Sequence, residues 1–288
     1  MGTGPLPVAG EEHRGRRPPI PIVPVDERAR AAVRARLVSL GRLADLAGWL
    51  AGVTGTERPA LRARLVVAAV GPGPEDGRLR GVAREAGVEV AVIDPGVTAR
   101  GLGDEPAMTV GEVARAVDTG REAAARAAGD SVTVLAGGAL GSGSAIAAGA
   151  VAAALTGGRA SPGAPERALA VHAPRIDGPL GALRRLGAGD VALLCGVALG
   201  AGEHGLGFVC DGLVATAGAA VAAGIEPSLL PRLLAGHRAP DPAHGRLLAH
   251  LGLEPVLDLA VEREDGSGAI AALALLRVAG AAAPGRSG

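Results

Sequence analysis

The chain contains 288 residues, of which 48% are hydrophobic and 1% aromatic, and its 29 Lys+Arg residues balance its 29 Asp+Glu residues at zero formal net charge. This length corresponds to one large domain or two small ones. Zero net charge gives no field that attracts a polyanion, and one Phe and one Trp cannot form a stacking platform for bases, so we expect small-molecule substrates and no nucleic-acid partner. The absence of Lys excludes Schiff-base catalysis.

The chain begins with a segment rich in proline and charge, followed by two amphipathic helices. Residues 1–26 cannot hold a helix or a central strand, and we expect a disordered tail or an extended arm. Asp26 is a plausible N-cap for the first helix, and residues 37–41 interrupt the helical pattern that runs to residue 51. These helices, within residues 27–60, are expected to pack with a helical C-terminal part.

Residues 61–225 alternate between buried strands and helices, which predicts an α/β core. We expect strands at residues 65–70, 88–93, 131–135 and 207–210, and helices at residues 77–87, 109–128, 191–199 and 214–223. Strands joined by helices imply parallel pairing. The predicted fold class is therefore a doubly wound parallel sheet with helices on both faces.

Residues 226–288 are predicted to be helical. We expect helices at residues 228–235, 243–251 and 270–279, which would form a small helical domain together with the N-terminal helices. Residues 157–165 show no periodicity and are predicted to form a shortened loop.

Composition also predicts the compartment. Cys195 and Cys210 are too few for a disulfide framework or a four-cysteine zinc site, and the charged N-terminus has no signal-peptide core, so we expect a cytoplasmic protein. Residues 131–158 carry no charge and are long enough to suggest a membrane span. Because the run is mostly Gly, Ala and Ser, with Gly-Ser-Gly-Ser in its middle, we expect a strand that leads into a buried helix, and no membrane association.

In an open parallel sheet, ligands bind beyond the carboxyl ends of the strands, where four turns fall: residues 70–73, 137–144, 187–190 and 211–212. The second turn can present backbone N–H groups to a phosphate at a helix N-terminus, although most glycine turns in a chain with 47 glycines are only turns. The candidate substrate-binding residues in these turns are Gly141, Gly143, Ser144, Gly187, Asp190 and Asp211.

The acidic candidates have two interpretations each. Asp265 precedes an apolar helix and could act as a general base, but an acid beside a helix start is also stabilised by the helix dipole. Asp190 and Asp211 could face a ligand or could cap and orient a loop. His237, His244 and His250 are spaced seven and six residues apart, which matches no familiar metal pattern, so we expect no metal site.

These segments together resemble the nicotinate-nucleotide:dimethylbenzimidazole phosphoribosyltransferase family. Three linked stretches carry the resemblance: residues 208–216 (FVCDGLVAT), 236–244 (GHRAPDPAH) and 251–259 (LGLEPVLDL). Residues 39–43, 93–97, 107–109 and 186–191 extend it, so that it covers residues 27–280.

The resemblance implies transfer of phosphoribosyl from nicotinate mononucleotide to a benzimidazole-type base in cobalamin lower-ligand assembly. It implies a homodimer, small-molecule substrates and no cofactor. The family's Gly-Glu-Gly-Thr-Gly motif falls on residues 264–268, so the implied catalytic base is Asp265, one methylene shorter than glutamate. The implied phosphate cradle is Gly141, Gly143 and Ser144.

The chain also departs from the family pattern. The family's second motif glutamate falls on Ala139, its Asp-His-Gly-Val segment is replaced by residues 70–73 (VGPG), and its phosphate-contacting loop by residues 157–165. Two hypotheses follow: a divergent, shortened phosphoribosyltransferase with reduced activity, or a non-catalytic paralogue that binds a base or nucleotide or pairs with an intact subunit.

Overall fold

The computed structural model describes residues 20–69, 77–141 and 143–283, and its centre is a sheet of five parallel strands. The strands are β1 (Ala63–Ala68), β2 (Val88–Ile93), β3 (Val134–Ala139), β4 (Gly207–Cys210) and β5 (Leu233–Ala235). The helices are α1 (Glu27–Arg36), α2 (Arg42–Thr54), α3 (Gly77–Glu85), α4 (Val110–Gly129), α5 (Ser144–Thr156), α6 (Ala164–His172), α7 (Pro179–Leu186), α8 (Gly189–Glu203), α9 (Gly212–Ile225), α10 (Pro242–Leu251) and α11 (Ser267–Ala282).

The spatial strand order is β2-β1-β3-β4-β5, and every pair is parallel. The chain therefore runs from β1 outward to β2 and then returns to β3 on the other side of β1. This reversal makes the carboxyl ends of β1 and β3 the switch point, where ligands of doubly wound sheets bind. The predicted parallel α/β fold is confirmed.

The two faces of the sheet hold separate apolar clusters. Helices α4 to α10 contribute to one cluster, and α1, α2, α3 and α11 contribute to the other. The helices of the first face are rich in small residues, so their backbones approach closely. A Cβ at Gly120 of α4 or at Gly196 of α8 would overlap the backbone of the facing helix. The small apolar runs of α8 and α9 are thus internal core and not an exposed surface.

Helix ends follow their capping residues. Asp26 Oδ1 accepts a hydrogen bond from Ala29 N and begins α1, and Thr109 and Glu112 form the reciprocal capping box of α4. Both caps agree with the sequence. Helices α6 and α7 were not predicted; each has glycine as its N-cap residue and proline in its first turn, a pairing that is typical of helix starts but easily taken for loop.

Three strands differ from the sequence expectation. β1 covers Ala63–Ala68 where residues 65–70 were expected, and residue 70 lies outside the described residues. β3 begins three residues later than predicted, because Ser131 adopts a positive φ of 60°, and it continues through Gly137 and Gly138. Glycine is disfavoured in strands, but a Cβ at Gly138 would lie 2.6 Å from the Asp265 carbonyl carbon, so tertiary packing selects it. The predicted helix 228–235 is a short 3₁₀ helix (Pro227–Arg232) followed by β5, since Pro231 interrupts a helix there.

The N-terminal helices pack with part of the C-terminal helical region. Helix α2 packs on α11 at one face, whereas α10 packs on α5 and α9 at the other. Residues 20–26, within the predicted tail, are an extended arm on the core: Val23 N donates to Gly202 O at 3.0 Å, and Asp26 N to Gly52 O at 2.8 Å. Residues 1–19 lie outside the described residues.

Arg232 fixes this arm. It is only 2% exposed, and its guanidinium donates hydrogen bonds to the carbonyl oxygens of Val23 (2.5 Å), Pro24 (2.9 Å) and Gly205 (2.6 Å). Burial lowers the pKa of Arg232 from its ordinary value. A buried cation whose partners are backbone carbonyls ties the arm to the loop before β4.

We expect Arg232→Met to lower the free energy of unfolding by about 3 kcal/mol or more, because several buried carbonyl groups would lose their donor. Urea unfolding at pH 7.5 measures this loss. Arg159, whose side chain is 91% exposed, provides the control: Arg159→Met should stay within about 0.5 kcal/mol of the parent. Equal, small effects of both substitutions would show that Arg232 does not hold the arm.

Candidate active site

The N-termini of α5 and α8 meet at one cavity at the carboxyl end of the sheet. The cavity has a volume of about 540 Å³. Its walls include the loop after β2 (within residues 97–102), the segment after β3 (residues 140–141 and 143–147) and the turn before α8 (187–190). Five of the six predicted substrate-binding residues line it, namely Gly141, Gly143, Ser144, Gly187 and Asp190.

Ser144 and Asp190 join the two helix starts. Ser144 Oγ donates a hydrogen bond to Asp190 Oδ2, and Asp190 Oδ1 accepts from the Val191 backbone N–H at 2.8 Å. Asp190 is 2% exposed, and its burial raises the pKa of the carboxyl above its ordinary value. Gly141 lies against the pair: a Cβ there would overlap Ser144 Oγ and lie 2.9 Å from Asp190 Oδ2. Only glycine leaves this pair undisturbed.

The cavity is electrostatically suited to an anion. The N-cap residues of α5 and α8 are Gly143 and Ala188, and neither has a side chain that caps its helix. No N-cap side chain therefore accepts from the first-turn N–H groups, although Asp190 Oδ1 accepts from that of Val191, and both helix dipoles place their positive ends at the cavity. Gly143 has a φ of 92°, a conformation that glycine adopts without strain. Phosphate fits such a site.

Asp211 does not reach this cavity. It is fully buried, and its carboxylate accepts hydrogen bonds from Gly266 N at 2.8 Å and Ala269 N at 2.7 Å, at the start of α11. His237 Nδ1 lies 3.2 Å from Asp211 Oδ1. Burial acts to lower the pKa of His237, but Asp211 outweighs it and the pKa is raised. The contacts of Asp211 correspond to the capping interpretation.

Asp265 is also engaged at the start of α11. It is 2% exposed; its Oδ1 accepts from Ser267 N at 3.0 Å and from Ser267 Oγ, and its Oδ2 from Arg263 Nε at 2.5 Å. Neither Asp265 nor its neighbour Glu264 lines the cavity. The structure thus places the predicted base in a helix-start turn with several of its lone pairs occupied.

Glu264 is a carboxylate that the sequence interpretation missed. Its Oε1 accepts from Leu213 N at 3.1 Å and its Oε2 from Val214 N at 2.8 Å, at the start of α9. Burial raises the pKa of Glu264 to about 7, against the opposing effect of these two hydrogen bonds. One feature of the sequence could have identified Glu264: it is a glutamate at the first glycine position of the family's Gly-Glu-Gly-Thr-Gly motif.

His244 is fully buried and neutral. His244 Nδ1 accepts from Ala239 N at 2.9 Å, so its hydrogen is on Nε2, which donates to Thr216 Oγ1 at 3.1 Å. The Thr216 hydroxyl then donates to Gly212 O at 2.6 Å. Burial, with the nearby positive charges of His237 and Arg238, lowers the pKa of His244 to about 4.

Residues 20–69, 77–141 and 143–283 contain no group of three or more His, Cys, Asp or Glu side chains arranged to hold a metal ion. None of the helices in the same ranges combines the length and hydropathy needed to cross a membrane. Cys195 and Cys210 are buried free thiols, and burial raises the pKa of each to about 12, so neither forms a thiolate nucleophile near neutral pH.

Known proteins define the class. Residues 77–285 match a family model described as phosphoribosyltransferase. A nicotinate-nucleotide–dimethylbenzimidazole phosphoribosyltransferase of Ectopseudomonas mendocina is 32% identical, with 90% of this chain and 92% of that protein covered, and one of Chloroflexus aurantiacus is 33% identical over the same shares. The crystal structure of the Thermus thermophilus protein of that name superposes with a TM-score of 0.80 at 32% identity, covering 89% of this chain and 95% of that one.

The class is therefore phosphoribosyltransferase. Within it, the chain belongs to the nicotinate-nucleotide:dimethylbenzimidazole phosphoribosyltransferase family, as its sequence motifs indicated. The alignment with the Ectopseudomonas protein runs over 323 positions, more than the 288 residues of this chain, so it contains gaps in this chain. The chain is a shortened member.

The neutral His244 predicts a pH dependence of stability. Its pKa in the folded protein, about 4, lies below the ordinary 6.5, so the unfolded chain takes up a proton first as the pH falls from 6.5 toward 4, and stability is lost in that window. Between pH 7.5 and pH 5, urea unfolding should show a decrease in stability that is smaller in His244→Gln than in the parent, by on the order of 2 kcal/mol. His250→Gln, an exposed histidine on α10, should follow the parent. Parallel curves for all three proteins would contradict the assignment.

Proposed function

We propose that the protein transfers the phosphoribosyl group of nicotinate mononucleotide to a benzimidazole-type base in cobalamin lower-ligand assembly. The observation that carries the proposal is the meeting of two helix N-termini at one cavity beyond the carboxyl end of β3, in a chain of this family. Such a cavity suits a substrate that is anionic at its phosphate and apolar at its base.

In this proposal the phosphate lies at the start of α5, where Gly141, Gly143 and Ser144 form the cradle. Gly187 and Asp190 form the opposite wall, and Asp190 holds the Ser144 hydroxyl in one orientation. Asp211 acts indirectly, because it fixes the start of α11. The side chains on both walls are already paired with each other, so the site is preorganised before substrate enters.

The reaction exchanges one N-glycosidic bond for another. A ring nitrogen of the azole attacks C1′ of the ribose, and the bond from C1′ to the nicotinate nitrogen breaks. Its electron pair stays on the pyridine ring and neutralises the positive ring charge, which makes nicotinate the leaving group. The azole N–H proton must pass to a base. The family motif assigns this role to Asp265, which stays a prediction.

The test uses Gly141→Ala against a glycine control. A Cβ at Gly141 would overlap Ser144 Oγ, whereas the nearest atom to a Cβ at Gly149 of α5 is Leu213 Cδ2 at 4.0 Å. We expect the parent to bind nicotinate mononucleotide in calorimetry and to release nicotinate when 5,6-dimethylbenzimidazole is added. Gly141→Ala should weaken nucleotide binding about tenfold or more, and Gly149→Ala should retain it.

Two other outcomes are informative. Nucleotide or base binding without any nicotinate release would favour the non-catalytic paralogue. Equal binding by both alanine variants would place the phosphate elsewhere.

We also propose that the protein is a homodimer, as the family resemblance implies. The surface that we propose for association is a groove lined by α4 and α7, where Val110 is 68% exposed beside Val113 and Leu180. We expect light scattering at micromolar concentration to give twice the 28.1 kDa chain mass, and Val110→Glu to lower it. A monomeric mass for the parent would contradict this proposal.

A further inference from the structure

Glu264 is adjacent to both positions at which the family pattern has glutamate, to one along the chain and to the other through a backbone hydrogen bond. One is position 265, its chain neighbour, where this chain has aspartate. The other is Ala139, whose backbone N–H donates to the Glu264 carbonyl oxygen at 2.6 Å. Because β3 ends at Ala139, this bond holds the Glu264 backbone at the carboxyl edge of the sheet, and Ala139 precedes Gly141 of the candidate phosphate cradle by two residues. A residue with a carboxylate that the family motif lacks is therefore adjacent to two positions where this chain has shortened or lost one, and its side chain reaches the start of α9.

The carboxylates at this edge differ in solvent exposure and in the hydrogen bonds they accept. Asp211 is fully buried and caps α11, and Asp265 is 2% exposed and bonded to Ser267 and Arg263. Glu264 is partly exposed. Its two oxygens each accept one backbone N–H, from Leu213 and Val214, so each keeps a lone pair for a further donor.

The same contacts hold the Glu264 side chain in place. Gly212 has a positive φ of 55°, and a Cβ there would lie 2.5 to 2.8 Å from the Glu264 carboxylate atoms, so the chain turns tightly around this group. The groups that act on it from neighbouring elements are Asp211, which raises its pKa, and His237, which lowers it. With a pKa of about 7, Glu264 can both take up and release a proton near neutral pH.

We propose that Glu264, and not Asp265, accepts the azole proton in the transfer reaction. This inference rests on the proposed function. The azole N–H bond breaks toward the Glu264 carboxylate as the other ring nitrogen forms its bond to C1′, and the C1′–nicotinate bond breaks with its electron pair going to nicotinate. Glu264 then releases the proton to water, which restores the carboxylate.

The experiment compares the parent with Glu264→Gln, Glu264→Asp and Asp265→Asn, and uses Glu226→Gln as the matched control. Glu226 is also a helix-start glutamate, since its carboxylate accepts from Ser228 N, but it lies at the opposite end of α9. For each protein we measure melting, the Kd for nicotinate mononucleotide, the Kd for 5,6-dimethylbenzimidazole, and kcat from pH 5.5 to 9.

For the parent we expect kcat to rise with pH through an apparent pKa near 7. In Glu264→Gln, kcat should fall about a hundredfold or more and lose this rise, the Kd for the nucleotide should change less than about threefold, and the azole should bind more weakly. Glu264→Asp should recover part of kcat, Asp265→Asn should keep the rise with pH, and Glu226→Gln should match the parent.

Four outcomes would overturn the inference or its basis, and they are distinguishable. If Asp265→Asn loses the rise with pH and Glu264→Gln keeps it, the base is Asp265. If Glu264→Gln lowers melting and nucleotide binding together while the pH profile is unchanged, Glu264 is only a cap of α9. If the parent binds the azole through Glu264 but transfers nothing, the proposed function fails while the Glu264 contact stands; if it binds no azole, both fail.

Discussion

The side chains of Asp211 and Glu264 hold the carboxyl edge of the sheet together, because the carboxylate that precedes each of two helices bonds to the start of the other helix. Asp211, just before α9, accepts hydrogen bonds from the first residues of α11, and Glu264, just before α11, accepts them from the first residues of α9. Because α9 and α11 lie on opposite faces of the sheet, this exchange ties both helical layers to the ends of β3 and β4. Each carboxylate also meets the positive end of a helix dipole, which stabilises its charge. The candidate phosphate cradle directly follows β3, next to this anchoring.

The sequence predicts the elements whose signals are local. Asp26 and the Thr109–Glu112 pair mark helix starts, and apolar runs mark β1, β2 and β4, because capping and periodicity depend on neighbouring residues. The end of β3 and all of β5 were missed because their residues are selected by contacts distant in sequence. Gly138 faces the Asp265 backbone, and β5 pairs with β4, contacts that no local pattern encodes.

In the candidate site too, local sequence predicts some features, whereas others depend on contacts distant in sequence. A glycine turn after a predicted strand was enough to locate Gly141, Gly143 and Ser144, since the switch-point rule needs only strand order. The roles of the acids were not accessible, because a carboxylate's function depends on which donors surround it. Asp265 pairs with Arg263 within its own turn, whereas Glu264 reaches another helix start about 50 residues away along the chain. The apparent erosion of the family's motifs is thus accompanied by a new carboxylate at the same edge.

A crystal structure of the protein with bound nicotinate mononucleotide tests the central claim most directly. The account predicts the phosphate within hydrogen-bonding distance of the first backbone N–H groups of α5, the ribose against the Ser144–Asp190 pair, and C1′ directed toward Glu264. A nucleotide whose phosphate lies away from the starts of α5 and α8, or whose C1′ is directed away from the edge where β3 and β4 end, would contradict it.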